Sequence, residues 1–156
     1  MRYFALFLPL IALSACQPKP VEGVKDARIT LPAVAGRPGA AYFTLTGGEA
    51  DNRLLQVTSP QVIRVELHES MMKGGPSTSS GGAMMSMRAI EGGVAVPAGT
   101  KVEFKPGGKH AMLFDIAPAV KAGGKIKLTL TYANGRAVEV DADVKPAGEG
   151  GGSHAH

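Results

Sequence analysis

The chain carries seven methionines in 156 residues, and apart from Met1 all of them fall between Met71 and Met112, with His68 just before that stretch and His110 inside it. Methionine used only to fill gaps in a core would be spread over every segment, whereas Leu, Val and Ile supply the packing residues elsewhere in this chain. Thioether sulfur is a soft, neutral donor that suits Cu(I), and imidazole adds a stronger borderline donor. A mixed Met/His set therefore selects copper over magnesium, calcium or manganese. Zinc would draw on Cys, His or carboxylate instead. The single Cys, Cys16, excludes a disulfide framework and any thiolate-clustered zinc or iron–sulfur site within the chain.

Spacing brings these donors towards one site. His110 and Met112 are two apart, as are Met85 and Met87, and residues two apart on a strand project from the same face. Met84 faces the other way and is expected in the core. In a strand predicted over 62–68, Ile63, Val65 and Leu67 take the core face, which leaves His68 on the opposite face at the strand's end, where a loop mouth can form. Met71 and Met72 are expected to begin a flexible loop and to stay outside the site. A separate pair, His154 and His156, follows Gly150-Gly151-Gly152 at the C-terminus and could chelate Cu(II) weakly.

The elements that must position these side chains have a period of two. Ile126, Leu128, Leu130 and Tyr132 alternate with Lys125, Lys127, Thr129 and Thr131; Val138, Val140, Ala142 and Val144 alternate with Glu139, Asp141 and Asp143. Between them Asn134-Gly135 predicts a hairpin with a type I′ turn, in which both residues take positive φ. Further strands are predicted over 27–31, 41–46, 53–58, 84–89, 101–105 and 110–116, punctuated by the 21 Gly and 11 Pro. No sustained helical stripe follows residue 16. So many short strands with this punctuation point to one antiparallel sandwich or barrel. Residues 73–83, with Gly-Gly-Pro-Ser-Thr-Ser-Ser-Gly-Gly, read as a surface loop, and 147–156 as a flexible Gly/His tail.

The N-terminus reads as a targeting segment. Arg2 precedes an apolar run that is too short to span a bilayer, followed by Leu13-Ser14-Ala15-Cys16. This resembles a bacterial lipobox, which implies cleavage after residue 15, a lipidated Cys16 and a linker to residue 24, with the folded domain over 25–146. The acyl chains would hold the domain to a membrane of the cell envelope, facing the periplasm. Gln17 lacks the acidic character that retains some lipoproteins at the inner membrane, a lean towards the outer membrane or cell surface. The net charge of +4 is spread singly along the chain, which gives no phosphate-tracking stripe for nucleic acid. A Gly-x-Ser-x-Gly elbow is missing, and a blue-copper centre would need a Cys that the anchor already takes. A binding protein, not an enzyme, is the expectation.

The runs Val65-Glu66-Leu67-His68-Glu69-Ser70-Met71-Met72, Met85-Ser86-Met87-Arg88, Val96-Pro97-Ala98-Gly99 and Lys105-Pro106-Gly107-Gly108-Lys109-His110-Ala111-Met112-Leu113 resemble the periplasmic copper chaperones of the PCu(A)C family. The resemblance spans roughly 25–145. It implies an all-β, cupredoxin-like Greek-key sandwich, monomeric, that binds one Cu(I) through His68, Met87, His110 and Met112. The loop after His68 is longer than the family pattern, which leaves Met85 as the substitute for Met87. The implied role is delivery of Cu(I) to an acceptor, either the dinuclear copper centre of cytochrome c oxidase, on its subunit II, or another copper chaperone. The alternatives are a copper-storage or resistance lipoprotein and a lipid-anchored sandwich that binds a protein partner.

Overall fold

Alternation of apolar and polar residues becomes ten strands in the computed structural model, which describes residues 22–73 and 84–148. They are β1 (Gly23–Thr30), β2 (Gly39–Thr46), β3 (Asn52–Thr58), β4 (Val62–Lys73), β5 (Met84–Ala89), β6 (Val94–Val96), β7 (Lys101–Phe104), β8 (Lys109–Ile116), β9 (Lys125–Tyr132) and β10 (Ala137–Lys145). No helix occurs among the described residues. In β2 and β9 every second side chain is buried, Ala41, Phe43 and Leu45 in one and Ile126, Leu128, Leu130 and Tyr132 in the other.

The ladder runs β5-β4-β8-β7-β2-β1-β10-β9-β3-β6. One buried cluster draws Phe43, Leu67 and Leu113 from its first half and Leu54, Val57 and Leu128 from its second, so the two halves face each other as layers of a cupredoxin-like sandwich. Phe43 and Phe104 stack at 4.3 Å between ring centres in that core. Chain-adjacent β2 and β3, β3 and β4, and β8 and β9 lie in different halves, the crossing connections of a Greek key.

Several sequence expectations need correction. The sheet is not purely antiparallel, because β1 pairs with β10 in parallel and β7 meets β8 in parallel at Phe104 and Lys109. The 134–135 turn is not type I′. Only Gly135 has positive φ, at 82°, and Tyr132 accepts from its N–H at 3.0 Å while Ala137 pairs with Thr131. That is a three-residue loop, a turn followed by a left-handed glycine. Ile63 is 84% exposed, and Val62 takes the buried position instead. Asp115, the β8 residue across from Ile63, has a left-handed φ of 56°, and Ile63 has no register partner between Val62↔Ile116 and Arg64↔Phe114. β4 also runs on to Lys73, so His68 sits in mid-strand, and Met71 and Met72 belong to the strand because their backbones pair with Ser86 and Met85. Three-residue β6 was too short to register as a period.

Candidate metal centre

β5, β4 and β8 lie side by side at one edge of the ladder, and their register decides which donors meet. His68 stands directly opposite His110, and Glu66 opposite Met112. Across the other side of β4, Ser70 stands opposite Met87. Opposed residues share a face, and so do residues two apart along a strand. His68, His110, Met112 and Met87 therefore occupy one face of three adjacent strands, with Glu66 among them. Leu67, Ala111 and Leu113 alternate with them and fill the core, which ties the face to the hydrophobic packing.

The turn before β8 sets His110. Gly108 N–H donates to the Lys105 carbonyl at 3.0 Å, with Pro106 and Gly107 between them and Gly107 at φ 75°. Proline followed by a left-handed glycine is the composition of a type II turn. It aims the Gly108 carbonyl at β4 and β8, where it accepts from Ser70 N–H at 3.0 Å and lies 3.0 Å from His110 Nδ1. A carbonyl only accepts, so Nδ1 carries the proton and the His110 lone pair is left on Nε2. His110 is 6% exposed, one of two buried polar residues among those described.

His68 is fixed from the opposite end of its ring. Its Nε2 lies 3.0 Å from Glu66 Oε2. The Glu66 carboxyl is held below the ordinary carboxylate range, first by this hydrogen bond and further by the Arg64 guanidinium. A carboxylate accepts, so Nε2 carries the proton, and the His68 lone pair is on Nδ1. That Nδ1 is sealed from solvent and has no hydrogen-bond partner among the described residues. An orphaned buried acceptor is costly unless a ligand completes it.

The two imidazole centres are 6.1 Å apart with planes inclined at 34°. With a metal–nitrogen bond of about 2.0 Å each ring centre lies about 3.1 Å from a shared ion, so two imidazoles on opposite sides span about 6.3 Å and two at a tetrahedral angle about 5.1 Å. The observed separation falls between these limits, and closing to the tetrahedral value brings the ring centres together by about 1 Å. No three of His, Cys, Asp or Glu converge among the described residues. The thioethers of Met87 and Met112 share this face with the two imidazoles. Met87 is 62% exposed, a thioether in water and outside the core, and Met112 is half-buried beside Ala40 of β2.

Of the residues singled out by sequence, the register joins His68, His110, Met112 and Met87 on one face. Met85 lies one pleat beyond Met87 along β5, its backbone opposite Met72. Met71 is 37% exposed and pairs with Ser86, out of step with the donor row. Cys16, His154 and His156 lie outside the described residues. Sequence reasoning passed over Glu66 and the Gly108 carbonyl; the same rule of two that linked His110 to Met112 would have linked Glu66 to His68.

Around the face, Arg64 pairs with Glu66 and lies 4.0 Å over the Phe114 ring. On the reverse side of the same strands Lys109 bonds Glu69 at 2.8 Å, which holds the Glu69 carboxyl below its ordinary range.

Residues 23–144 match the family described as "Putative lipoprotein LpqE-like". A relative described as "Putative lipoprotein Lxx21020", from Leifsonia xyli subsp. xyli (strain CTCB07), is 28% identical over 128 residues, 81% of this chain and 72% of its own. Among solved structures, the copper-bound PCuAC domain from PmoF2 superposes with a TM-score of 0.59 at 21% identity, over 83% of this chain and 99% of that one. Cu(I)-DR1885 from Deinococcus radiodurans superposes with a TM-score of 0.54 at 25% identity, over 86% and 83%. The all-β architecture expected from sequence is thus the architecture of PCuAC domains.

Proposed function

The chain belongs to the LpqE-like family, and on that premise we propose that it is a lipid-anchored copper chaperone of the cell envelope, of the PCu(A)C type, with Cu(I) as its cargo. The observation that carries the reading is the opposed pair His68 and His110, each with its lone pair freed by a hydrogen bond at the other ring nitrogen and flanked by thioethers. Copper bound in the PmoF2 domain and Cu(I) in DR1885 support the choice of metal.

In this reading His68, His110, Met112 and Met87 ligate one Cu(I), with Met85 available in place of Met87. The ion is held without thiolate, so it can leave one ligand at a time. Met87, on the edge strand and open to solvent, is the ligand an acceptor reaches first. Neutral thioethers suit this exchange, because soft donors stabilise Cu(I) without the charge of a thiolate cage. Cys16 carries the lipid, residues 17–24 tether the domain, and the acceptor is the dinuclear copper centre of cytochrome c oxidase or another copper chaperone. The role is binding and transfer with no turnover, and the C-terminal His154 and His156 form a weaker Cu(II) site.

The test is a metal titration of the full chain. One Cu(I) per chain at the β-face site, with Zn(II) left largely unbound, supports the reading. Equal competition by zinc would sink it, since zinc gains little from methionine.

A further inference from the structure

We propose that Glu66 is a positioning residue of the copper site, one that directs His68 to bind the metal through Nδ1 while His110 binds through Nε2. This rests on the copper reading above and deepens it by naming the donor atoms. Three observations meet here. Glu66 Oε2 lies 3.0 Å from His68 Nε2, so that nitrogen is committed to the carboxylate. The other nitrogen, Nδ1, is sealed from solvent and unpartnered among the described residues. And Glu66 is itself held: Arg64 pairs with its other oxygen and is braced over the Phe114 ring, which faces Arg64 across the β4–β8 ladder.

The physical consequence is directional. An imidazole whose N–H is bonded to a carboxylate is a more basic ligand at its second nitrogen, and its ring is prevented from rotating away. A backbone carbonyl does the same for His110, but through the opposite ring nitrogen. The two histidines are therefore oriented by unlike partners into unlike tautomers. Glu66 touches no metal in this arrangement. Its place opposite Met112 keeps a negative charge beside a site whose own ligands are all neutral, which favours a cation over none.

Two measurements test the inference. In histidine-labelled apoprotein at a pH where imidazoles are neutral, two-bond proton–nitrogen spectra should show His68 as the Nε2–H tautomer and His110 as the Nδ1–H tautomer. Cu(I) affinity by chelator competition should then fall about 10- to 100-fold in Glu66→Leu, the usual loss on removing such a partner. Glu66→Gln, whose amide oxygen can still accept from Nε2, should fall between Glu66→Leu and the parent. A merely structural role would lower the melting temperature of the apoprotein and leave the affinity of the folded fraction unchanged. Parent-like Cu(I) affinity in Glu66→Leu, or His68 found with its proton on Nδ1, would overturn the inference. A parent protein that binds no Cu(I) would instead overturn the copper reading itself and the inference with it.

Discussion

In the proposed site protons and Cu(I) compete for the same two imidazole nitrogens. The donors proposed on the β4–β8–β5 face are two imidazoles and two thioethers, and only imidazole takes up a proton. In acid, where imidazole takes up protons, each copper bound by both histidines must displace one proton from each. Affinity then falls by up to about 100-fold per pH unit, or about 2.7 kcal/mol, since one unit for one proton is about 1.4 kcal/mol. Glu66 does not add to this slope. Its carboxyl is held below the ordinary range by His68 and Arg64, so it stays ionised across the window in which the histidines exchange protons for metal. The assay is Cu(I) competition from about pH 5 to pH 8, with the titration of the competing chelator subtracted. The expected limiting slope is two, falling to one in His68→Ala and in His110→Ala. A flat profile in the parent chain would refute bis-histidine coordination, and an unchanged slope in either variant would remove that histidine from the site.

Among the sulfurs, Met112→Ala and Met87→Ala should weaken Cu(I), whereas Met71→Ala should leave affinity close to the parent value, because its register position is out of step with the donor row; a greater loss in Met71→Ala would mean the wrong sulfurs had been assigned. Tyr132→Phe should raise stability by about 1 kcal/mol, or about 3–5 °C in melting temperature, by deleting a buried hydroxyl that has no partner among the described residues. Burial pushes that hydroxyl up to about 12, so it is neutral in folded and unfolded chain alike below about pH 10, and stability falls as pH rises from there towards 12, where the unfolded tyrosine ionises before the folded one. Tyr132→Phe should accordingly flatten alkaline unfolding in that interval, and an unaltered alkaline limb would contradict the assignment. Cys16→Ser should release the chain from membranes with Cu(I) binding unchanged, as fractionation and titration would show; retention on membranes would point to another anchoring surface.

Much of the fold was legible because the strands that alternate cleanly are the ones buried on one face. Ile126 to Tyr132 and Ala41 to Leu45 could be read directly, and their burial follows the reading. Ile63 was misplaced because alternation assumes a regular ladder, and Ile63 lies across from a left-handed residue, Asp115, without a register partner. The 134–135 turn kept its place and lost its type, since an Asn-Gly pair is compatible with more than one loop length. At the candidate site, i, i+2 spacing correctly grouped His110 with Met112. No local rule could place His68 opposite His110, because that pairing is a matter of register between strands more than forty residues apart in sequence. Glu66 was missed for a different reason. Two-residue spacing puts Glu66 on the face of His68, but acids near histidines are common in sequence, and only the hydrogen bond shows that this one holds the ring.

The central claim is that two imidazoles and two thioethers from three adjacent strands hold one Cu(I). X-ray absorption at the copper edge of the Cu(I)-loaded full chain tests it most directly, because nitrogen and sulfur neighbours scatter at different distances and can be counted together. The account predicts two nitrogen and two sulfur neighbours around a single copper, with one sulfur lost in Met112→Ala and one nitrogen lost in His110→Ala. A shell of sulfur alone, or of nitrogen and oxygen without sulfur, would contradict it.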